Sequence, residues 1–409
     1  MSLSDVTIGF LPLMDAALLI IAEERGFAAN EGLHLNLVRE TSWANIRDRL
    51  VVGHFDVAHM LAPMPIASNL GLNPVNAPMI APMALGLGGN AVTVGAALWA
   101  QMAGEGASAD LDAGRAGAAL RRVVAGRTAA PLRFGVVHPY SGHNYELRYW
   151  LAASGVRPDI DVEIVIVPPP LLPDALAQGS LDGFCVGEPW NSVAVAQGAA
   201  VLATAKSSIW RSSPEKVLGM TTKWAETQEP VLAALLAALY RASEWLGRDE
   251  NLMEAARILS GPRYLAQPAE LVQAGLSGKL ALGGAASAAV SDFFVPNARA
   301  ATFPWQSHAL WFYSQMVRWG QVAHSAQNAR LAQDSYRPDI YRKLVGALGV
   351  PVPAANSKVE GALAQAHPVG VNRGKLMIGP DGFFDGRIFD PLELDAYIRG
   401  QNLDVMQNN

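Results

Sequence analysis

Four short stretches place polar side chains where a chain of alternating strands and helices passes from one element to the next. SWANIRDRL (42–50) opens a helix, with Ser42 as its N-cap and Trp43 in its first turn. YSGHNYELRYW (140–150) opens another, with Ser141 or Gly142 near the cap and His143 in the first turn. GLGGNAVTV (86–94) brings Asn90 to a glycine-rich junction, and WRSSPEKVLGM (210–220) brings Lys216 to a second crossing. An indole N–H, a carboxamide, an imidazole and an ammonium are all hydrogen-bond donors. Helix N-termini add free N–H groups and the positive end of a dipole. That set suits a small oxyanion better than a cation or a sugar. Taken singly, each residue also has an ordinary reading: Trp43 as core, His143 as a satisfied helix residue, Lys216 as a solvated charge, Asn90 as a turn former.

A fifth stretch, FCVGEPWNS (184–192), ends an apolar strand on Gly187 and delivers Glu188, Pro189 and Trp190 in succession. One reading puts a rigid turn at the mouth of a cleft; the other has these residues cap a helix and fill a gap. A carboxylate facing an anion repels it, so Glu188 is expected to act through structure, accepting hydrogen bonds that fix the turn at Pro189.

Catalytic patterns are absent. The sequence has no Gly-x-Ser-x-Gly elbow, no Walker loop and no full dinucleotide fingerprint, GLGGNA being too loose. His34, His54, His59, His138 and His143 form no HxxxH or HxH pair, and the one cysteine, Cys185, excludes an internal disulfide and a cysteine-rich metal site. No nucleophile stands beside a base. A binding protein without metal or cofactor is expected, not an enzyme.

The elements that position these residues come in two copies. LVVGHFDVAHMLAP (50–63) and LAQGSLDGFCVGEP (176–189) share one frame, in which Leu50, Gly53, Asp56 and Pro63 match Leu176, Gly179, Asp182 and Pro189 at a constant offset of 126 residues. The same offset carries Gly9 of TIGF onto Gly135 of RFGV. Helical periods at 16–27 and 145–156, then strands at 33–38 and 162–167, fill the intervals. Each copy reads β-α-β-α-β, which predicts a parallel sheet. Two α/β lobes follow, with ligands bound beyond the carboxyl ends of the strands. The expected division is 1–90 with 217–409 as lobe one and 91–216 as lobe two. After residue 230, helical periods without matching strands form an annex on lobe one, and the tail after 367 reads as an extended strap.

With 51% hydrophobic and 16% charged residues over 409 positions, the chain can bury two lobes. A net charge of -5 argues against direct nucleic-acid or anionic-membrane binding. No stretch reaches the roughly 20 apolar residues that span a bilayer. The opening MSLSDVTIGF has no basic region of a secretion signal and reaches a strand within a few residues. It points to a cytoplasmic protein, or to a periplasmic one whose leader has been trimmed.

SWANIRDRL, VAHMLAPMP, GHNYELRYWLAASG, VPPP (167–170), FCVGEPWN, SSPEKVLGM and SHALWFYSQMVRWG (307–320) together resemble the nitrate- and bicarbonate-binding proteins of ABC importers. The resemblance runs from about residue 7 to about 350. It implies a bilobed periplasmic-binding-protein-like fold of type II with a C-clamp outline, two parallel-sheet lobes plus C-terminal helices. It also implies an oxyanion held by a tryptophan, a glutamine, a histidine and a lysine, which fall here on Trp43, Asn90, His143 and Lys216. Asn90 departs from the family pattern by one methylene. The acidic residue that follows the motif lysine in the bicarbonate branch is Val217 here, which favours nitrate or nitrite, as does an expected excess of donors over acceptors. Ser42, Gly142, Gly187, Glu188, Pro189 and Trp190 are expected to support the site. Without a leader, the chain looks like the NasS-type cytoplasmic nitrate/nitrite sensors. An RNA-binding antiterminator is then the expected partner, with ABC permease subunits as the alternative.

Overall fold

The computed structural model describes residues 3–128 and 130–407; Met1, Ser2, Ala129 and residues 408–409 lie outside the described residues. Its first strands are β1 (Ser4–Phe10), β2 (Leu33–Arg39), β3 (Val57–Leu61) and β4 (Met79–Ala84). The chain then crosses to β5 (Asn90–Gly95), β6 (Leu132–Val136), β7 (Val162–Ile166), β8 (Gly183–Gly187) and β9 (Ala200–Ala205), and returns with β10 (Lys216–Thr221). Two five-stranded sheets result, ordered β2-β1-β3-β10-β4 and β7-β6-β8-β5-β9. The second order repeats the first.

The 126-residue repeat has a physical basis in both lobes. Ile8 and Gly9 pair with Val57 and Ala58, and Phe134 and Gly135 pair with Gly183 and Phe184, the same register shifted by the repeat. Asp56 accepts a hydrogen bond from the Thr7 amide at 2.8 Å, and Asp182 accepts one from the Arg133 amide at 2.7 Å. Each aspartate thereby satisfies a strand amide that the shorter neighbour leaves unpaired. Gly53 and Gly179 both adopt left-handed φ values, 78° and 71°, at the turn before the aspartate. Gly9 is required by close approach: a Cβ there would lie 2.3 Å from the Phe55 ring, and one at Gly135 would lie 2.6 Å from Leu172.

The sheets are mixed, which corrects the expectation of parallel ones. β10 runs antiparallel to β3 and β4, and β5 runs antiparallel to β8 and β9. Each is the first strand after a crossing, so it enters the receiving sheet at the carboxyl edge of the parallel strands and runs backwards. Nothing in the local composition of NAVTVG or KVLGMT records that direction. The consequence for the site is direct. Lys216 opens β10 opposite Leu61, the last residue of β3, and Asn90 opens β5 opposite Gly187, the last residue of β8. Leu61 and Gly187 are repeat-equivalent, so both polar residues are delivered to the ligand-binding edge of their own sheet.

Helices cover both sheets: α1 (Ala17–Glu24), α2 (Trp43–Val51), α3 (Gly142–Ala153), α4 (Trp190–Ala196), α5 (Glu229–Leu246), α6 (Ala269–Ser277) and α7 (Gln306–Arg318). Six consecutive residues of α1, Ala17 to Ala22, are buried, because the first sheet lies on one side and annex helices on the other. The annex also holds a small hairpin, Lys279–Gly283 with Ala286–Ala289, where only helices were expected. The tail is extended through two short strands, His367–Val369 and Leu376–Ile378, and then forms a helix over Leu394–Gln407 that the strap reading omits. No helix among the described residues is long and apolar enough to cross a membrane.

Candidate functional site

The two lobes meet at the carboxyl ends of β1 and β8. The Met14 amide donates to the Glu188 carbonyl at 2.8 Å, the Trp190 indole N–H donates to the Pro12 carbonyl at 3.2 Å, and the Tyr140 hydroxyl donates to the Leu72 carbonyl at 3.2 Å. Trp190 is therefore an inter-lobe contact. Glu188 is buried, and its Oε2 accepts from the Ser192 amide in the first turn of α4 at 3.2 Å. The peptide bond between Glu188 and Pro189 is cis. Burial raises the Glu188 carboxyl to about 7 despite the Ser192 amide.

Beneath this contact lies a buried polar cluster built from both lobes. Ser42 caps α2 by accepting from the Asn45 amide at 3.2 Å, which sets Trp43 as the first helical residue, and the Trp43 side chain is buried. Ser141 caps α3 by accepting from the Asn144 amide, leaving Gly142 and the buried His143 in its first turn. Lys216 Nζ lies 5.5 Å from the Trp43 ring centroid. His143 Nδ1 lies 2.9 Å from Glu215 Oε1, the same oxygen that accepts from Lys216 Nζ at 2.7 Å. A Cβ on Gly187 would sit 3.0 Å from Asn90 Oδ1 and 3.3 Å from Asp15 Oδ2, so glycine there lets the two lobes approach. Gly142 is needed for the same reason: its Cβ would fall 2.6 Å from Glu215 Oε2. Trp43, Asn90, His143 and Lys216 thus converge on one buried locus.

Three of these residues present unused polar atoms. Among the described residues, Trp43 Nε1, both amide atoms of Asn90 and His143 Nε2 have no hydrogen-bond partner, although all are buried. Buried polar atoms are nearly always paired, so several orphans at one point mark a place built for something else to occupy.

Acids and bases that sequence motifs scarcely announce surround Lys216. Asp15, in the turn between β1 and α1, accepts from Lys216 Nζ through Oδ2 at 2.8 Å. Its Oδ1 lies 2.9 Å from Nε2 of His59, which sits in β3 with its ring 5.3 Å from that of Trp43. Glu215 Oε2 accepts from Lys206 Nζ, which also donates to the Pro214 carbonyl at 2.7 Å and lies 3.3 Å from Glu146. The expected excess of donors over acceptors is therefore corrected: the carboxyl groups of Asp15, Glu146 and Glu215 are all buried here. The PEK tripeptide carried the one available signal for Glu215. Asp15 and Glu146 reach the cluster only through the fold, and neither stands in a motif with Lys216.

Charge states follow from burial and partners. Burial works against the Asp15 and Glu215 carboxylates, but the lysines beside them outweigh it and hold both below their ordinary values, Glu215 well below. Burial likewise opposes the Lys216 ammonium, and Asp15 and Glu215 outweigh it and raise its pKa. Burial prevails at His59 and His143, lowering both below the ordinary histidine value against the pull of their carboxylates. It also prevails at Glu146, raised to about 8 in spite of Lys206. Near neutral pH the cluster thus holds two ammonium groups, two carboxylates, two neutral imidazoles and a protonated Glu146. No group of His, Cys, Asp and Glu among the described residues has metal-binding geometry.

Two α/β lobes enclosing such a locus define a periplasmic-binding-protein-like fold. The crystal structure of the periplasmic nitrate-binding protein NrtA from Synechocystis PCC 6803 superimposes with a TM-score of 0.85 at 28% identity, covering 98% of each chain. The nitrate/nitrite binding protein NrtA of Synechococcus elongatus is 32% identical over 97% of this chain and 85% of its own length. The nitrate import ATP-binding protein NrtC of Synechocystis is 33% identical over 97% of this chain, which spans 55% of that longer protein. The model of the NMT1-like family matches residues 2–260. The chain belongs to the NMT1-like family, among the NrtA/CmpA-type substrate-binding proteins of nitrate and bicarbonate ABC importers.

Proposed function

We propose that this protein binds a small planar monoanion, nitrate or nitrite, between its lobes and serves as the binding component of an ABC importer, with permease and ATP-binding subunits as partners. The observation that carries the ligand is the set of orphaned atoms on Trp43, Asn90 and His143 beside the Lys216 ammonium. Bicarbonate differs from nitrate by a hydroxyl that needs an acceptor. Val217 lies in the apolar core and supplies none, and Glu215 already takes His143 and Lys216 on one oxygen and Lys206 on the other. Asn90 Oδ1 and the Nε2 lone pair of neutral His143 are the acceptors that remain on the converging residues, and protonation of His143 beside a bound anion removes the second.

The import proteins among the relatives favour this reading over a cytoplasmic sensor that acts on an RNA-binding antiterminator. Calorimetry with nitrate, nitrite and bicarbonate in turn tests the ligand: the first two should bind and the third should give little heat. Selective binding of bicarbonate overturns the assignment. Fractionation of the untagged gene product tests the role. Cytosolic recovery with a protein partner that nitrate releases would replace the importer reading with the sensor.

A further inference from the structure

We propose that anion capture takes up a proton on His143 Nε2, and that Asp15 and Glu215, by neutralising Lys216, impose this uptake and limit the ligand to a single negative charge. The inference deepens the anion-binding reading and rests on it. Its starting point is the hydrogen bonding of His143. Glu215 is ionised and can only accept, so the contact at 2.9 Å requires the proton to sit on His143 Nδ1. A neutral imidazole with its proton on Nδ1 presents a lone pair at Nε2. That nitrogen is buried and unpartnered at the locus where the donors converge. A lone pair repels an oxyanion; an N–H at the same place binds it.

Charge balance requires the same proton. Lys216 is engaged by Asp15 Oδ2 at 2.8 Å and by Glu215 Oε1 at 2.7 Å, and Lys206 is engaged by the other oxygen of Glu215. The two ammonium groups are therefore matched by two carboxylates before any ligand arrives. An anion added without a proton would leave an uncompensated buried charge, the costliest arrangement for a protein interior.

The groups facing His143 are Glu215, Lys216 and Lys206, with Glu146 beyond Lys206 and Asp15 and His59 beyond Lys216. His138, in the loop before α3, is held neutral by burial and by Arg47, at about 4. Glu146 keeps its own proton near neutral pH. Glu188, at about 7, turns Oε2 to the Ser192 amide in α4 and has no hydrogen-bond contact with His143, which leaves the histidines as the groups within the cluster that gain one. The sign is then fixed. Burial keeps His143 deprotonated in the free protein, and the anion raises its pKa, so affinity strengthens as pH falls.

The test is calorimetry of nitrate binding by the intact protein at pH 7 in two buffers of different ionisation enthalpy. The expected result is a heat that changes with the buffer by the amount for about one proton taken up per anion, with Kd rising by up to about tenfold per pH unit between pH 6 and pH 8. Nitrate heats identical in both buffers, with binding intact, overturn the proposal. Complete absence of nitrate binding instead sinks the anion reading on which it rests. Two variants sharpen the result without being needed for it. Glu215→Gln removes one matched charge, so proton uptake should fall and the pH slope flatten. His143→Gln supplies a neutral N–H and should also bind with a flat slope. A folded variant of either kind that keeps the full wild-type slope contradicts the assignment to this pair.

Discussion

Glu146→Gln isolates the energetic consequence of burying this cluster. The Glu146 side chain is fully enclosed, and its carboxyl is raised from 4.5 to about 8 by burial, with Lys206 3.3 Å away pulling the other way. Between those two values the native carboxyl keeps a proton that the unfolded chain has released. Stability therefore falls as pH rises through this window. Each pKa unit corresponds to about 1.4 kcal/mol, so the contribution lost between pH 5 and pH 8 is on the order of 3–4 kcal/mol. Glutamine has the shape of the protonated acid and cannot ionise, so the variant should escape that loss. Glu188, raised to about 7, contributes a similar but smaller decline to both proteins and cancels in the comparison. The assay is guanidinium unfolding of both proteins at pH 5, 6.5 and 8. The stability difference should be small at pH 5 and should favour the variant increasingly toward pH 8. Parallel pH profiles, or a variant that loses ground as pH rises, would refute the reasoning.

Three further substitutions probe the site directly. Lys216→Ala removes a charge-assisted contact worth about 1.5–3 kcal/mol, so anion affinity read by calorimetry should drop roughly ten- to a hundredfold. Trp43→Phe keeps the packed ring but deletes the orphaned indole N–H; the loss of about 1 kcal/mol should weaken binding about fivefold, with the melting temperature little changed. Gly142→Ala drives a methyl group against Glu215 Oε2, and overpacking of this kind costs about 1–3 kcal/mol, visible as a lower melting temperature with and without anion.

Much of this architecture was legible in the sequence because the repeat leaves local traces. Asp56 and Asp182 must each meet a strand amide, and Gly53 and Gly179 must each turn left-handed, so the anchors recur in type as well as spacing. Trp43 and His143 were legible through their helix caps. The direction of β5 and β10 was not, because an apolar strand of six residues reads the same in either sense. The acids were hidden for a related reason. Asp15 is 201 residues from Lys216, and Glu146 is brought to Lys206 by packing of α3 alone. Sequence spacing reports which element carries a residue, while a buried ion-pair array is assembled by the way elements meet.

Whether Trp43, Asn90, His143 and Lys216 enclose a single anion is decided by a crystal structure of the protein grown with nitrate. A planar ion is expected within hydrogen-bond reach of Trp43 Nε1, the Asn90 amide, His143 Nε2 and Lys216 Nζ, with Asp15 and Glu215 still on the lysine. An anion seated elsewhere, or a cleft that admits none while calorimetry shows binding, would contradict this placement.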